Sequence, residues 1–173
     1  RYRALVNGVE RLQASPVPVD IHGPEEALQL KSDTVAIEGS NTSFQIHLRV
    51  PPERYADTFN AAQLATPVVL GLAANSPIFL GRALWDETRV PVFKQTLSGR
   101  FLPDAEWRPV VRVPFGSGWV REGAFELFAE AVALFPPAIA AVDLEDPVAV
   151  VRSGGVPKLT ELRLHQGTTW QWN

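Results

Sequence analysis

The alternation in Asn41-Thr42-Ser43-Phe44-Gln45-Ile46-His47-Leu48-Arg49-Val50 constrains the fold more than any other feature of the chain. Successive side chains of a β-strand point to opposite faces, so residues two apart share one. Thr42, Phe44, Ile46, Leu48 and Val50 then make a mostly apolar face, and Ser43, Gln45, His47 and Arg49 make a row of hydrogen-bonding groups. The pattern predicts a strand over 42–50 with one face on a core. An amide, an imidazole and a guanidinium in line suit a floor under an anionic ligand or a metal. The plainer alternative is a half-exposed antiparallel strand whose polar residues are incidental.

The flanking segments supply neighbours for such a strand. Residues 1–13 carry Tyr2, Leu5, Val9 and Leu12 at helical spacing, and Ser15-Pro16-Val17-Pro18 ends that pattern. Val17 to Ile21, closed by Gly23-Pro24, and Val35 to Glu38, followed by Gly39-Ser40-Asn41, read as short strands of a hairpin or meander. Pro51-Pro52-Glu53 opens a helix that runs through an apolar stretch from Tyr55 to Ala74. Pro67 should kink or divide it, and Asn75-Ser76-Pro77 ends it. Its apolar run falls short of the roughly 20 residues that span a bilayer, which predicts a buried core helix. Further helices are expected over 86–97, over Glu122 to Phe135 with Phe125, Phe128, Val132 and Phe135 facing inward, and over Leu159 to Leu164. Residues 142–151 fit either a helix or a strand. The fold class is α+β, an antiparallel sheet with helices packed on one face, in a single domain over 1–173.

Composition narrows the partners. A net charge of −3 leaves no basic footprint for nucleic acid or an anionic membrane surface. With no cysteine there is no disulfide framework, no thiolate zinc site and no cysteine nucleophile. Five Trp and nine Phe argue for a substantial core. The chain also lacks methionine, so Arg1 is expected not to be the native start. A cytoplasmic location is expected, because nothing in the chain points to secretion.

The second polar constellation lies in Asn75-Ser76-Pro77-Ile78-Phe79-Leu80-Gly81-Arg82-Ala83-Leu84-Trp85-Asp86-Glu87-Thr88-Arg89. On a helix, Arg82, Trp85 and Arg89 would share one face, and two guanidiniums beside an indole would suit a carboxylate. The alternative is a surface helix on which Arg89 pairs with Asp86 and Trp85 plugs the core edge. Gly116-Ser117-Gly118-Trp119 has no Lys or Ser/Thr at phosphate-loop spacing and reads as a turn. His22 reads as a loop residue, and Glu25-Glu26 as a solvated turn. His165 either caps a loop or faces a ligand. The three histidines are too far apart in sequence to make a zinc site without help from the fold. No G-x-S-x-G elbow is present, which disfavours a serine hydrolase.

The block EGSNTSFQIHLRVPPERYADTFNAAQLATPVVLGLAANSPIFLGRALWDETRVPVFKQ resembles the middle of bacterial family-2 glutamate–cysteine ligases, carboxylate–amine ligases related to glutamine synthetase. FGSGWVRE and LRLHQGTTWQWN resemble later blocks of the same proteins, so the resemblance runs over most of the chain from Tyr2 onward. It implies a glutamine synthetase-like sheet whose concave face binds ATP, magnesium and an amino acid, and it makes the chain the central part of a longer catalytic domain. It also implies that ATP converts a carboxylate to an acyl phosphate, which an amine then attacks to form an amide of the γ-glutamyl type. On this resemblance Gln45, His47 and Arg49 face the nucleotide, with Gln45 and Glu38 as candidate metal ligands. Asn75, Arg82, Trp85, Arg89, His165 and Thr168 fall in blocks that resemble the substrate region, and Thr169 adjoins them. The chain departs from the family pattern in its carboxylates. The family's acidic metal ligands lie mainly on an early strand that is not in this chain, a further Arg and Glu cluster lies beyond Asn173, and Gln45 is neutral where relatives carry His. The isolated chain is therefore expected to show no ligase activity. Two rivals stand beside an active ligase that can be a homo-oligomer: the same scaffold, catalytically inactive, serving as an interaction module, and a ligand-binding domain that uses the two arginines.

Overall fold

The computed structural model describes residues 7, 16–33, 35–97, 113, 115–135, 137 and 144–167. The helix expected over 1–13 lies outside them except for Asn7, which is helical. Strands β1 (Val17–His22) and β2 (Ala27–Ser32) form an antiparallel hairpin in which Val17 faces Ser32 and His22 faces Ala27. The turn closes with the Gly23 N–H donating to the Glu26 carbonyl at 2.8 Å. β1 alternates as a half-buried strand should: Val17, Val19 and Ile21 are buried, while Asp20 and His22 are exposed. A second, shorter hairpin joins β3 (Ile78–Phe79) to β4 (Arg82–Ala83), its bend taken by Leu80 and Gly81 at φ 47° and 76°.

Helix α1 spans Tyr55–Ala73, α2 Arg89–Leu97, α3 Phe125–Leu134, α4 Pro147–Arg152 and α5 Thr160–Gln166. The core forms where α2 lies against β1: Val19, Ile21, Leu84 and Val92 are buried together, flanked by Leu28, Leu30, Ile37 and Phe79. The Gln95 side-chain amide fixes this packing. It donates to the Asp20 carbonyl at 2.8 Å and accepts from the Asp20 N–H at 2.7 Å. A second buried group lies where α3 meets α5, with Leu127, Ala131, Phe135 and His165 inside. Asp146 caps α4 through the N–H groups of Val148 and Ala149, with Pro147 at the first helical position. The molecule is α+β, built from small antiparallel hairpins and helices.

Several expectations are corrected. Val35–Ser40 is a 3-10 helix and not a strand. Residues 42–50 are irregular and have no ladder partner among the described residues. Phe44, Ile46 and Leu48 stand 90%, 74% and 71% exposed. A period of two allocates side chains to faces, but it forms a strand only where a second strand satisfies the backbone and a core takes the apolar face. α1 is present and passes through Pro67 without dividing, yet none of its residues is buried. The expected core helix is thus an exposed one among the described residues. The inward face of α3 is met in part: Phe135 is buried and Phe128 half-buried as expected, but Leu127 and Ala131 fill the interior, and Phe125 and Val132 are exposed. The 142–151 segment resolves into α4 over its second half. Among the described residues no helix is long and apolar enough to cross a membrane.

The Asn60 amide ties α1 to the segment before α3. Its Nδ2 donates to the Val120 carbonyl at 2.7 Å, and its Oδ1 accepts from the Val120 N–H at 3.0 Å. Val120 is buried, so Asn60→Ala leaves both backbone groups without their partner. We expect a loss of about 1–2 kcal/mol in urea unfolding, and no smaller a loss for Asn60→Asp, whose second carboxylate oxygen would face the Val120 carbonyl with no proton to donate.

Candidate functional site

Two of the described candidates, Asn75 and Arg89, meet in one polar hub at the end of α1, where the chain turns into β3. Ser76 bridges to Glu87 in parallel fashion, with the Ser76 N–H donating to the Asp86 carbonyl at 3.0 Å and the Thr88 N–H to the Ser76 carbonyl at 3.1 Å. That crossing sets the Glu87 carboxylate beside Arg89. The Arg89 Nε donates to Glu87 Oε1 at 2.6 Å and Nη2 donates to Oε2 at 2.8 Å, a two-point grip on the carboxylate. The same guanidinium donates to the Asn75 side-chain carbonyl and, through Nη1, to the Thr42 carbonyl at 2.7 Å. The Ser76 hydroxyl donates to Glu87 as well. Arg89 foremost, then the Ser76 hydroxyl and the Asn75 N–H, pull the Glu87 carboxyl down to about 2 against some resistance from desolvation. Arg89 is raised in turn by its bonds to Glu87.

Arg82, Trp85 and Arg89 do not share a helix face: Arg82 lies in β4, Trp85 in the following loop and Arg89 at the start of α2. Arg82 pairs with Glu26 at 3.0 Å, and the Ala83 N–H donates to the other Glu26 oxygen at 2.6 Å. These contacts, the Ala83 N–H above all, hold the Glu26 carboxyl below its ordinary value. Arg89 pairs with Glu87 in place of Asp86. The Trp85 indole N–H donates to the His22 carbonyl at 2.8 Å, and Thr88 Oγ1 clips the same loop by accepting from the Trp85 N–H at 3.1 Å and donating to the Trp85 carbonyl at 2.9 Å.

A cavity of about 900 Å³ opens beside this hub. Pro67, Leu70, Pro77, Leu84 and Val90 supply apolar wall, and His22, Asn75, Trp85, Asp86 and Glu87 supply the polar part. His22 closes β1 with its ring 2.9 Å from Asp20, so the residue expected in a loop lines the cavity instead. The 42–50 segment meets the hub at Thr42, while Gln45, His47 and Arg49 are exposed further along it. His165 is elsewhere, buried on α5 with Nε2 2.8 Å from the Phe135 carbonyl. Thr168 and Thr169 lie outside the described residues.

Magnesium is held at octahedral geometry by one or two carboxylates, several waters and, beside a nucleotide, substrate phosphates. Among the described residues no three His, Asp or Glu side chains gather where they could hold a metal ion. Glu38, in the 3-10 turn, and Gln45 offer one carboxylate and one amide. The described side chains do not fit a complete magnesium site.

Sequence reasoning gave Glu87 and Ser76 no role, and it read Glu26 as part of a solvated turn, whereas Glu26 pairs with Arg82. Their signal was weak, because each acts through a turn or a second hairpin and not through a repeating period.

A family profile described as Glutamate-cysteine ligase family 2 (GCS2) matches residues 1–108, a span that contains both the 42–50 segment and the Asn75–Arg89 hub. FGSGWVRE and LRLHQGTTWQWN fall beyond the matched residues. No curated protein and no solved structure matches the chain.

Proposed function

The chain belongs to glutamate–cysteine ligase family 2, and from that premise we propose that it is part of an ATP-dependent carboxylate–amine ligase that forms an amide through an acyl phosphate, on a glutamine synthetase-like sheet. The observation that carries this reading is that one family match spans both polar segments, which Arg89 joins through Thr42 and Asn75. In this reading Gln45, His47 and Arg49 meet the nucleotide phosphates, where an imidazole and a guanidinium offset negative charge. ATP supplies the leaving group that makes the carboxylate reactive. Asn75, Arg82 and Trp85 border the amino-acid side. Arg89 organises that side, since its guanidinium is already engaged by Glu87, Asn75 and Thr42. His165 and Thr168 join the substrate side by resemblance alone. No step is assigned to magnesium.

A second reading gains support from the two ion pairs. Arg82 and Arg89 are both held by internal carboxylates, which suits a scaffold of the same family that binds ligands without catalysis. A thermal-shift series tests the nucleotide assignment. We expect ATP with magnesium to raise the melting temperature of the chain, because a ligand that prefers the folded state stabilises it. The His47→Ala, Arg49→Ala double variant should lose that shift. An equal shift in the variant would remove the nucleotide assignment, and sustained phosphate release by this chain with an amino acid present would overturn its expected lack of turnover.

A further inference from the structure

The cavity beside the hub has a charge pattern of its own. Among the described residues its lining contains two carboxylates, Asp86 and Glu87, and no Lys or Arg. Glu87 is neutralised by the two-point grip of Arg89. His22 is paired with Asp20. Asp86 differs: among the described residues its carboxylate has no hydrogen-bond or ion-pair partner, and only its main-chain carbonyl is used, by Ser76. Next to it stands Trp85, 47% exposed, with its indole N–H committed to the His22 carbonyl and Thr88 clipping its backbone. The ring is thereby held in place while part of it stays open, and the electron-rich face of an indole attracts cations. Apolar wall from Leu70, Pro77, Leu84 and Val90 completes the space.

We propose that this cavity binds an organic ammonium ion, its charge set against Asp86 and the Trp85 ring and its hydrocarbon body against the apolar wall. A carboxylate ligand is disfavoured there. The cations that would have received it are already paired, and Asp86 adds an unbalanced negative charge to the lining. The inference stands on the cavity and does not need the ligase reading. If that reading holds, the cavity is the berth of the amine partner, and the amine carries no carboxylate close to its nitrogen.

The test compares three probes of one shape on the whole chain: phenethylammonium, 2-phenylethanol and 3-phenylpropanoate, followed through the indole N–H resonances in ¹H–¹⁵N spectra. Phenethylammonium should bind on the order of tenfold more tightly than the alcohol, with the carboxylate weakest, a gap of the size that one ion pair and one cation–ring contact give. Asp86→Asn should cut the preference for the ammonium to the part that the Trp85 ring supplies, a few-fold, and leave binding of the alcohol unchanged. Equal binding of all three probes, tighter binding of the carboxylate, or an Asp86→Asn chain that keeps the full preference would each overturn the proposal. Should Asp86→Asn fail to fold, the ranking of the three probes on the unsubstituted chain decides the matter. Phosphate release plays no part in the readout, so a failure here is distinct from a failure of the ligase reading.

Discussion

Gly23→Ala is expected to be among the most damaging single substitutions in the described part of the chain. A Cβ at this position would sit 2.6 Å from Leu84 Cα and 2.8 Å from the Leu84 carbonyl oxygen. Both are backbone atoms, so no rotamer change can relieve the clash. Leu84 is itself buried in the cluster with Val19, Ile21 and Val92, and its N–H donates to the Pro77 carbonyl at 2.8 Å. Moving it away would pull on the first hairpin and on the β3–β4 hairpin together. Overpacking of this kind costs roughly 1–3 kcal/mol, and urea unfolding followed by circular dichroism would measure it. A change below a few tenths would show that the two backbones can separate freely. Gly39→Ala is the matched control, since a Cβ there meets nothing within 4 Å.

Glu87→Gln should be comparably harmful. The substitution removes the charge that Arg89 grips at two points and leaves the guanidinium of a side chain only 29% exposed without its counter-ion. Hydrogen bonds to charged groups contribute about 1.5–3 kcal/mol each, and the partial contact with solvent places the expected loss at about 1–3 kcal/mol. The double variant Glu87→Gln, Arg89→Gln should lose less than the sum of the two single variants, because the uncompensated charge is gone. The pH dependence has a definite sign. The folded carboxyl sits at about 2 against an ordinary 4.5, so the unfolded chain takes up a proton first as the pH falls. Stability from this pair is fully present above pH 4.5 and drains away between about 4.5 and 2. In Glu87→Gln that part of the acid limb should flatten. An unchanged limb would mean that other carboxylates govern acid unfolding.

Individual elements show what local sequence can reveal. The β1 strand was legible because its own alternation, Val17, Val19 and Ile21 against Asp20 and His22, is matched by a partner only a short turn away. Residues 42–50 alternate more cleanly and still form no ladder among the described residues. Pairing needs a second strand, and no local pattern supplies one. α3 was legible as a helix, and Phe135 is inside as expected, but the rest of its inward face was misjudged. The choice between Phe125 with Val132 and Leu127 with Ala131 depends on where α5 packs, and both sets are apolar. Arg89 and Asn75 were singled out from sequence and do meet. Their neighbour Glu87 escaped notice because a two-residue spacing places it beside Arg89 only on a turn, which helical spacing rules do not describe. The tight approach of Gly23 to Leu84 joins residues distant in sequence and leaves no local trace.

The free side of β1 has one further consequence. Outward-pointing main-chain groups fall on Pro18, Asp20 and His22. Proline has no N–H to offer, the Gln95 amide occupies both groups of Asp20, and the Trp85 indole takes the carbonyl of His22. An incoming extended chain would find no row of open donors and acceptors to template on. The β1 border of the hairpin is thus interrupted by side chains, a device that opposes edge-to-edge association of the kind that drives fibril growth.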